Sequence, residues 1–171
     1  MHRNVVVTLV VTALCFSSST TQLHGQETSP SPKAEVSPFE LMQRDMAARK
    51  KALISEEDDL EAMAKSLSGM ELDSVLSIDQ KAGQGVMQLD ATLWFAAIYK
   101  NMQCDADREV ARNVLKNRLA FYAHLFDMEA EQVAAHLAFV RLPATAQSGQ
   151  RIKEDLRAAK ATLEEMDASL K

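Results

Sequence analysis

Residues 151–171 read RIKEDLRAAKATLEEMDASLK. Ile152, Leu156, Ala159, Leu163, Met166 and Leu170 alternate steps of four and three, the spacing of a coiled-coil-like seam on one helix face. Arg151 and Asp155, Lys160 and Glu164, and Asp167 and Lys171 stand four apart with opposite charge, as on a solvated helix surface. A helix with one apolar stripe must bury that stripe against other helices, and the rest of the chain offers them.

Upstream, Ser37-Pro38-Phe39-Glu40 has the form of a capping box with proline at the first helical position. Phe39, Met42, Met46 and Leu53 follow near one face. Ser55-Glu56-Glu57-Asp58 repeats the start signal, with Leu60, Met63 and Leu67 as its stripe and Gly69 as its C-cap. Ser77-Ile78-Asp79-Gln80 opens a third helix, weakened by Gly83 and Gly85. It then becomes apolar nearly all round from Val86 to Met102, as a central helix would be. Asp105 to Phe126 reads as a fourth helix with Val110, Val114, Phe121 and Leu125 in one row. Asp127 caps a fifth that Pro143 stops, and Ala144 to Gln150 reads as a loop before the last helix. Composition agrees: five glycines and four prolines are too few for the turns of a sandwich or barrel. The expected fold is all-α, a small antiparallel bundle of five or six helices over residues 38–171.

The first residues read differently. Arg3 precedes an uncharged, mostly apolar run from Val5 to Phe16, and small polar residues follow to Thr21. That is the order of a secretory signal peptide, expected over residues 1–25. The run is shorter than the roughly 20 residues a membrane-spanning helix needs. Residues 26–37, with Pro30, Pro32 and several serines, read as a disordered leader. Export to a bacterial periplasm or the extracellular space is expected. Signal removal leaves Cys104 as a lone thiol, open to an intermolecular disulfide but to no internal one.

Leu76-Ser77-Ile78-Asp79-Gln80 is similar to the L-T-x-x-Q motif of small helical periplasmic stress chaperones, a family whose size, export and helicity agree with this chain. The chain has serine for threonine and shows the motif once, where that family usually shows it twice. A capping box yields S-x-x-Q by itself, so no membership follows from these five residues.

Chemistry is sparse. Glu-x-x-His is absent, since Phe121 and Val133 precede His124 and His136 by three. The patterns C-x-x-C-H, H-E-x-x-H and G-x-S-x-G are absent too. Cys104 and His124 lie about 30 Å apart along one helix, and a returning fifth helix would leave His136 roughly 20 Å short of the thiol. His124, Asp127 and Glu131 cluster around one turn and are the candidate metal ligands. Met42 and Met46 read as core filler rather than as copper thioethers. The net charge of −5 and the lack of a long basic run argue against nucleic acid. No cofactor is expected. The leading reading is a non-enzymatic module that meets a protein partner, or a second copy, through a helical face. The alternative is a small-ligand or metal-binding bundle with a cavity lined by Trp94, Tyr99 and Tyr122.

Replacing Leu156 or Leu163 by Asp buries a charge without a partner in the expected seam. Each variant is expected to lose about 3 kcal/mol or more of stability, read by chemical denaturation. Unchanged melting in both would refute the seam.

Overall fold

The computed structural model describes residues 36–170. The expected signal peptide and all but the last two residues of the leader lie outside them. The described residues form four helices rather than five or six: α1 (Pro38–Ala64), α2 (Gly69–Asn101), α3 (Asp105–Leu137) and α4 (Pro143–Ser169). Short connections make successive helices antiparallel. α1 meets α2 and α4, and α3 meets α2 and α4, so the helices close a four-membered ring. Across its diagonals the backbones of α2 and α4 come close, while those of α1 and α3 stay farther apart. No helix among the described residues is long and apolar enough to cross a membrane.

The helix count falls because two expected starts, at Ser55 and Asp127, lie inside longer helices, and a third, at Ser77, lies inside a helix that begins earlier. α1 begins as expected: the Ser37 hydroxyl accepts a hydrogen bond from the Glu40 amide at 3.2 Å, with Pro38 in the first turn. It does not stop at Ser55. Met46, Leu53 and Leu60, seven residues apart, are all fully buried, so one stripe runs straight through the second capping box. Glu56 closes no box and instead accepts a hydrogen bond from Arg151 of α4 at 2.8 Å. Ser77 lies well inside α2, where its hydroxyl donates to the Asp73 carbonyl one turn back at 2.8 Å. Asp127 lies inside α3, because Phe126, Ala130 and Val133 carry the buried stripe past it. Its carboxylate faces Lys160 of α4 at 3.1 Å.

The expected loop over 144–150 is helical. Pro143 stands in the first turn of α4 rather than ending a helix, and buried Thr145, Ser148 and Gly149 extend the seam N-terminally. From Ile152 to Leu170 the seam is buried at every expected position. Gly69 has a positive φ of 60°, which only glycine adopts without strain, but it opens α2 rather than capping α1. Nor is α2 a central helix: Met87 and Trp94 are exposed.

α2 has a seam of its own, made mostly of small residues. Val75, Ile78, Ala82, Gly85, Leu89, Thr92 and Ala96 alternate steps of three and four, and all are buried. A β-carbon on Gly85 would come within 2.8 Å of Leu156 Cδ2 and 3.2 Å of Leu53 Cδ1. A β-carbon on Gly149 of α4 would come within 2.7 Å of Leu137 Cδ2 and 3.4 Å of Ile78 Cδ1 of α2. These two glycines mark the diagonal approach of α2 and α4.

Gly83 and Gly85 therefore respond differently to alanine. At Gly83 the nearest atom belongs to the Glu57 side chain, which can swing aside. Gly83→Ala is expected to stabilise by about 0.5–1 kcal/mol through helix propensity. Gly85→Ala pushes fully buried leucines and is expected to cost about 1–3 kcal/mol despite the same propensity gain. Urea midpoints of the two variants measure the contrast, and equal shifts would refute the close approach.

Candidate functional site

The residues expected to carry chemistry are dispersed. Cys104 precedes the first turn of α3, where its side chain makes no capping hydrogen bond, and it is exposed rather than part of the core. His136 does not return toward it, because α3 is continuous. The rise of one helix puts the two about 48 Å apart. His124 and Asp127 do line one groove between α3 and α4, together with Lys160 and Glu164. Asp127 is held by Lys160 and Glu131 by Arg157 at 2.6 Å, so both carboxylates already face cations. No group of three or more His, Cys, Asp or Glu among the described residues is placed to hold a metal ion.

The aromatic residues expected to line one cavity are also divided. Tyr99 packs against Phe39 of α1, with ring centroids 5.7 Å apart. Trp94 and Tyr122 stand in two separate grooves along the line where α2 meets α3.

One groove, of about 340 Å³, lies between Trp94, Ile98 and Met102 of α2 and Val110, Ala111 and Val114 of α3. Its walls are apolar, yet Trp94 is 62% exposed and Val110 63% exposed. Phe95 sets the Trp94 ring edge-on, with centroids 5.0 Å apart, and carries the Arg118 guanidinium 5.6 Å from its own ring centre. Val110 and Val114, expected to be part of a buried row, face outward because α3 buries Leu115 and Leu119 instead.

The second groove, of about 370 Å³, lies nearer the other end of the same helix pair. Met87 and Gln88 of α2 and Tyr122, Leu125, Met128 and Glu129 of α3 line it. Glu129 is only 6% exposed. It accepts a hydrogen bond from the Gln88 amide at 2.6 Å on Oε1, while its Oε2 and the Gln88 Oε1 have no hydrogen-bond partner. Burial pushes the Glu129 carboxyl up to about 6, against the opposing pull of the Gln88 amide and the Lys81 charge. The fifth helix expected from the sequence would have Glu129 near its positive end. Once α3 is taken as continuous, its position three after Phe126 and four before Val133 sets it beside the buried stripe.

A buried carboxyl of raised pKa binds more protons in the fold than in the unfolded chain. Its stabilising contribution is present below the ordinary value of 4.5 and is lost as pH rises through about 6. Glu129→Gln, which cannot ionise, is expected to gain about 2 kcal/mol over the unsubstituted protein on going from about pH 4 to pH 8. Denaturation of both proteins at the two pH values measures this; a constant difference between them would refute the burial of a charged Glu129.

No protein-family model matches the chain, and no curated protein or solved structure matches it.

Proposed function

We propose that this chain is an exported, non-enzymatic helical module of the bacterial envelope that binds a protein partner through the α2–α3 face. The observation that carries the reading is the groove at Trp94. A tryptophan and two valines are left in water at one place, beside Phe95 with Arg118 over its ring. Clustered exposed apolar residues with an aromatic anchor are the usual composition of an interaction surface. The last helix does not supply the surface, because its seam is consumed by the core. Export rests on the order of charge, apolar run and small residues over residues 1–25.

The placement of its titratable groups supports reading the module as non-enzymatic. The described histidines stand apart from Cys104, and the acidic residues beside His124 pair with lysine or arginine. A protein surface needs no such machinery. It needs apolar area that water leaves readily and a polar rim that fixes the register.

A photo-crosslinking residue at position 94, in the chain expressed with its leader in a bacterial host, is expected to give one discrete adduct in the envelope fraction. The same residue at position 157, on α4, is expected to give none, and Val110→Lys is expected to reduce the position-94 adduct at least about tenfold by placing a charge in the groove. Equal labelling from both positions would refute the α2–α3 face, and retention of the chain in the cytoplasmic fraction would refute export.

A further inference from the structure

The second groove on this face has a chemistry that the Trp94 groove lacks. A carboxylate offers acceptors only, and a carboxamide offers two N–H donors and one acceptor oxygen. One Gln88 N–H is used on Glu129 Oε1. That leaves Glu129 Oε2 and Gln88 Oε1, two buried acceptors in one groove with no donor between them. Buried polar atoms are nearly always partnered, so two orphan acceptors in one place specify what is missing: a donor, brought by a ligand or by a proton on the carboxyl itself. The nearest cation does not fill the role. Lys81 donates instead to Gln84 Oε1 at 3.0 Å, one turn further along α2.

The remaining walls limit what can carry that donor. Met87, Leu125 and Met128 are apolar, and two of the three are thioethers that adapt to irregular shapes. Tyr122 adds an aromatic ring. The groove, at about 370 Å³, is of the size that holds small organic molecules. A hydrated metal ion would find a single carboxylate here, beside the Lys81 ammonium and the carboxamides of Gln84, Gln88 and Gln132.

We propose that the α2–α3 groove at Glu129 binds a small organic cation, a primary ammonium carried on an apolar chain, whose N–H groups are accepted by Glu129 Oε2 and Gln88 Oε1. The ammonium charge offsets the cost of keeping the buried carboxylate ionised, and the chain covers Met87, Leu125 and Met128. A proton is the competitor. When Glu129 is protonated its hydroxyl can donate to Gln88 Oε1, which satisfies both orphans internally and removes the negative charge. The charged group that acts on Glu129 across the groove is Lys81 of α2, and Glu131, two residues along α3, is held by Arg157 of α4.

Calorimetric titration of the purified protein with n-hexylamine, and with hexan-1-ol as the neutral chain of equal length, tests the proposal. At pH 8 hexylamine is expected to bind with a Kd of about 1 mM or below, which asks less than about 1 kcal/mol of each heavy atom. Hexanol is expected to bind at least about tenfold more weakly. Hexylamine affinity is expected to fall about tenfold at pH 5, where one carboxyl in ten of a group near 6 remains ionised. Glu129→Gln keeps the fold, because its amide can donate to Gln88 Oε1, and it is expected to abolish the preference for the amine. Trp94→Asp is expected to leave hexylamine binding unchanged, so the outcome is independent of the partner-binding groove. Absence of saturable binding, equal affinity for hexanol, or unchanged binding in Glu129→Gln would each overturn the proposal.

Discussion

The close approach of α2 and α4 across the bundle sets the rest of the structure. In a ring of four helices, side chains normally hold opposite members apart. Here Gly85 of α2 receives Leu156 of α4, and Gly149 of α4 receives Ile78 of α2. Both contacts step by seven residues in the same direction, so they repeat one heptad apart along two parallel helices. A ring compressed along one diagonal spreads along the other, and the backbones of α1 and α3 stay farther apart. The compression also decides what α2 shows to solvent. Its inward seam must be small at Ala82, Gly85 and Ala96, so large side chains such as Met87 and Trp94 stand off that seam and line the grooves beside α3.

The all-helical class and the α4 seam from Ile152 to Leu170 were legible because large apolar residues marked every turn. The helix number was not. Ser55, Ser77 and Asp127 each stand in a sequence that would cap a helix if the chain bent there, and the same residues are tolerated inside a helix when a buried stripe continues through them. In α1 that stripe is Met46, Leu53 and Leu60, which spans the expected break. In α2 it is made largely of alanine, glycine and threonine, whose weak hydropathy hides a regular seam from a search for large apolar residues. The Gln88–Glu129 pair was further out of reach. It spans 41 residues and exists only through the register of two helices, one of which was read as broken just before Glu129.

The interfaces of the ring differ in kind. Lys50 and Asp90, and Lys100 and Glu40, join α1 to α2. Lys160 and Asp127, and Arg157 and Glu131, join α3 to α4. Arg49 and Asp155, and Arg151 and Glu56, join α1 to α4. Between α2 and α3 the named polar contacts are the Gln88–Glu129 hydrogen bond and Arg118 over Phe95. Exposed ion pairs contribute little stability, but they keep a surface hydrated and unattractive to apolar partners. Both grooves lie on the α2–α3 side, so one helix pair presents both an apolar surface and a buried acid.

The polar contacts between α1 and α4 join positions far apart in the chain: Arg151 to Glu56 across 95 residues and Thr162 to Asp45 across 117. The other three interfaces join consecutive helices through connections of a few residues, and closing those hairpins costs little chain entropy. Folding therefore has a natural order, with local helical hairpins first and the α1–α4 edge as the closing step, at which ends distant in sequence must meet in register. Charged and hydroxyl groups at that edge, rather than more leucines, make a misaligned closure expensive and so guard the last step of assembly.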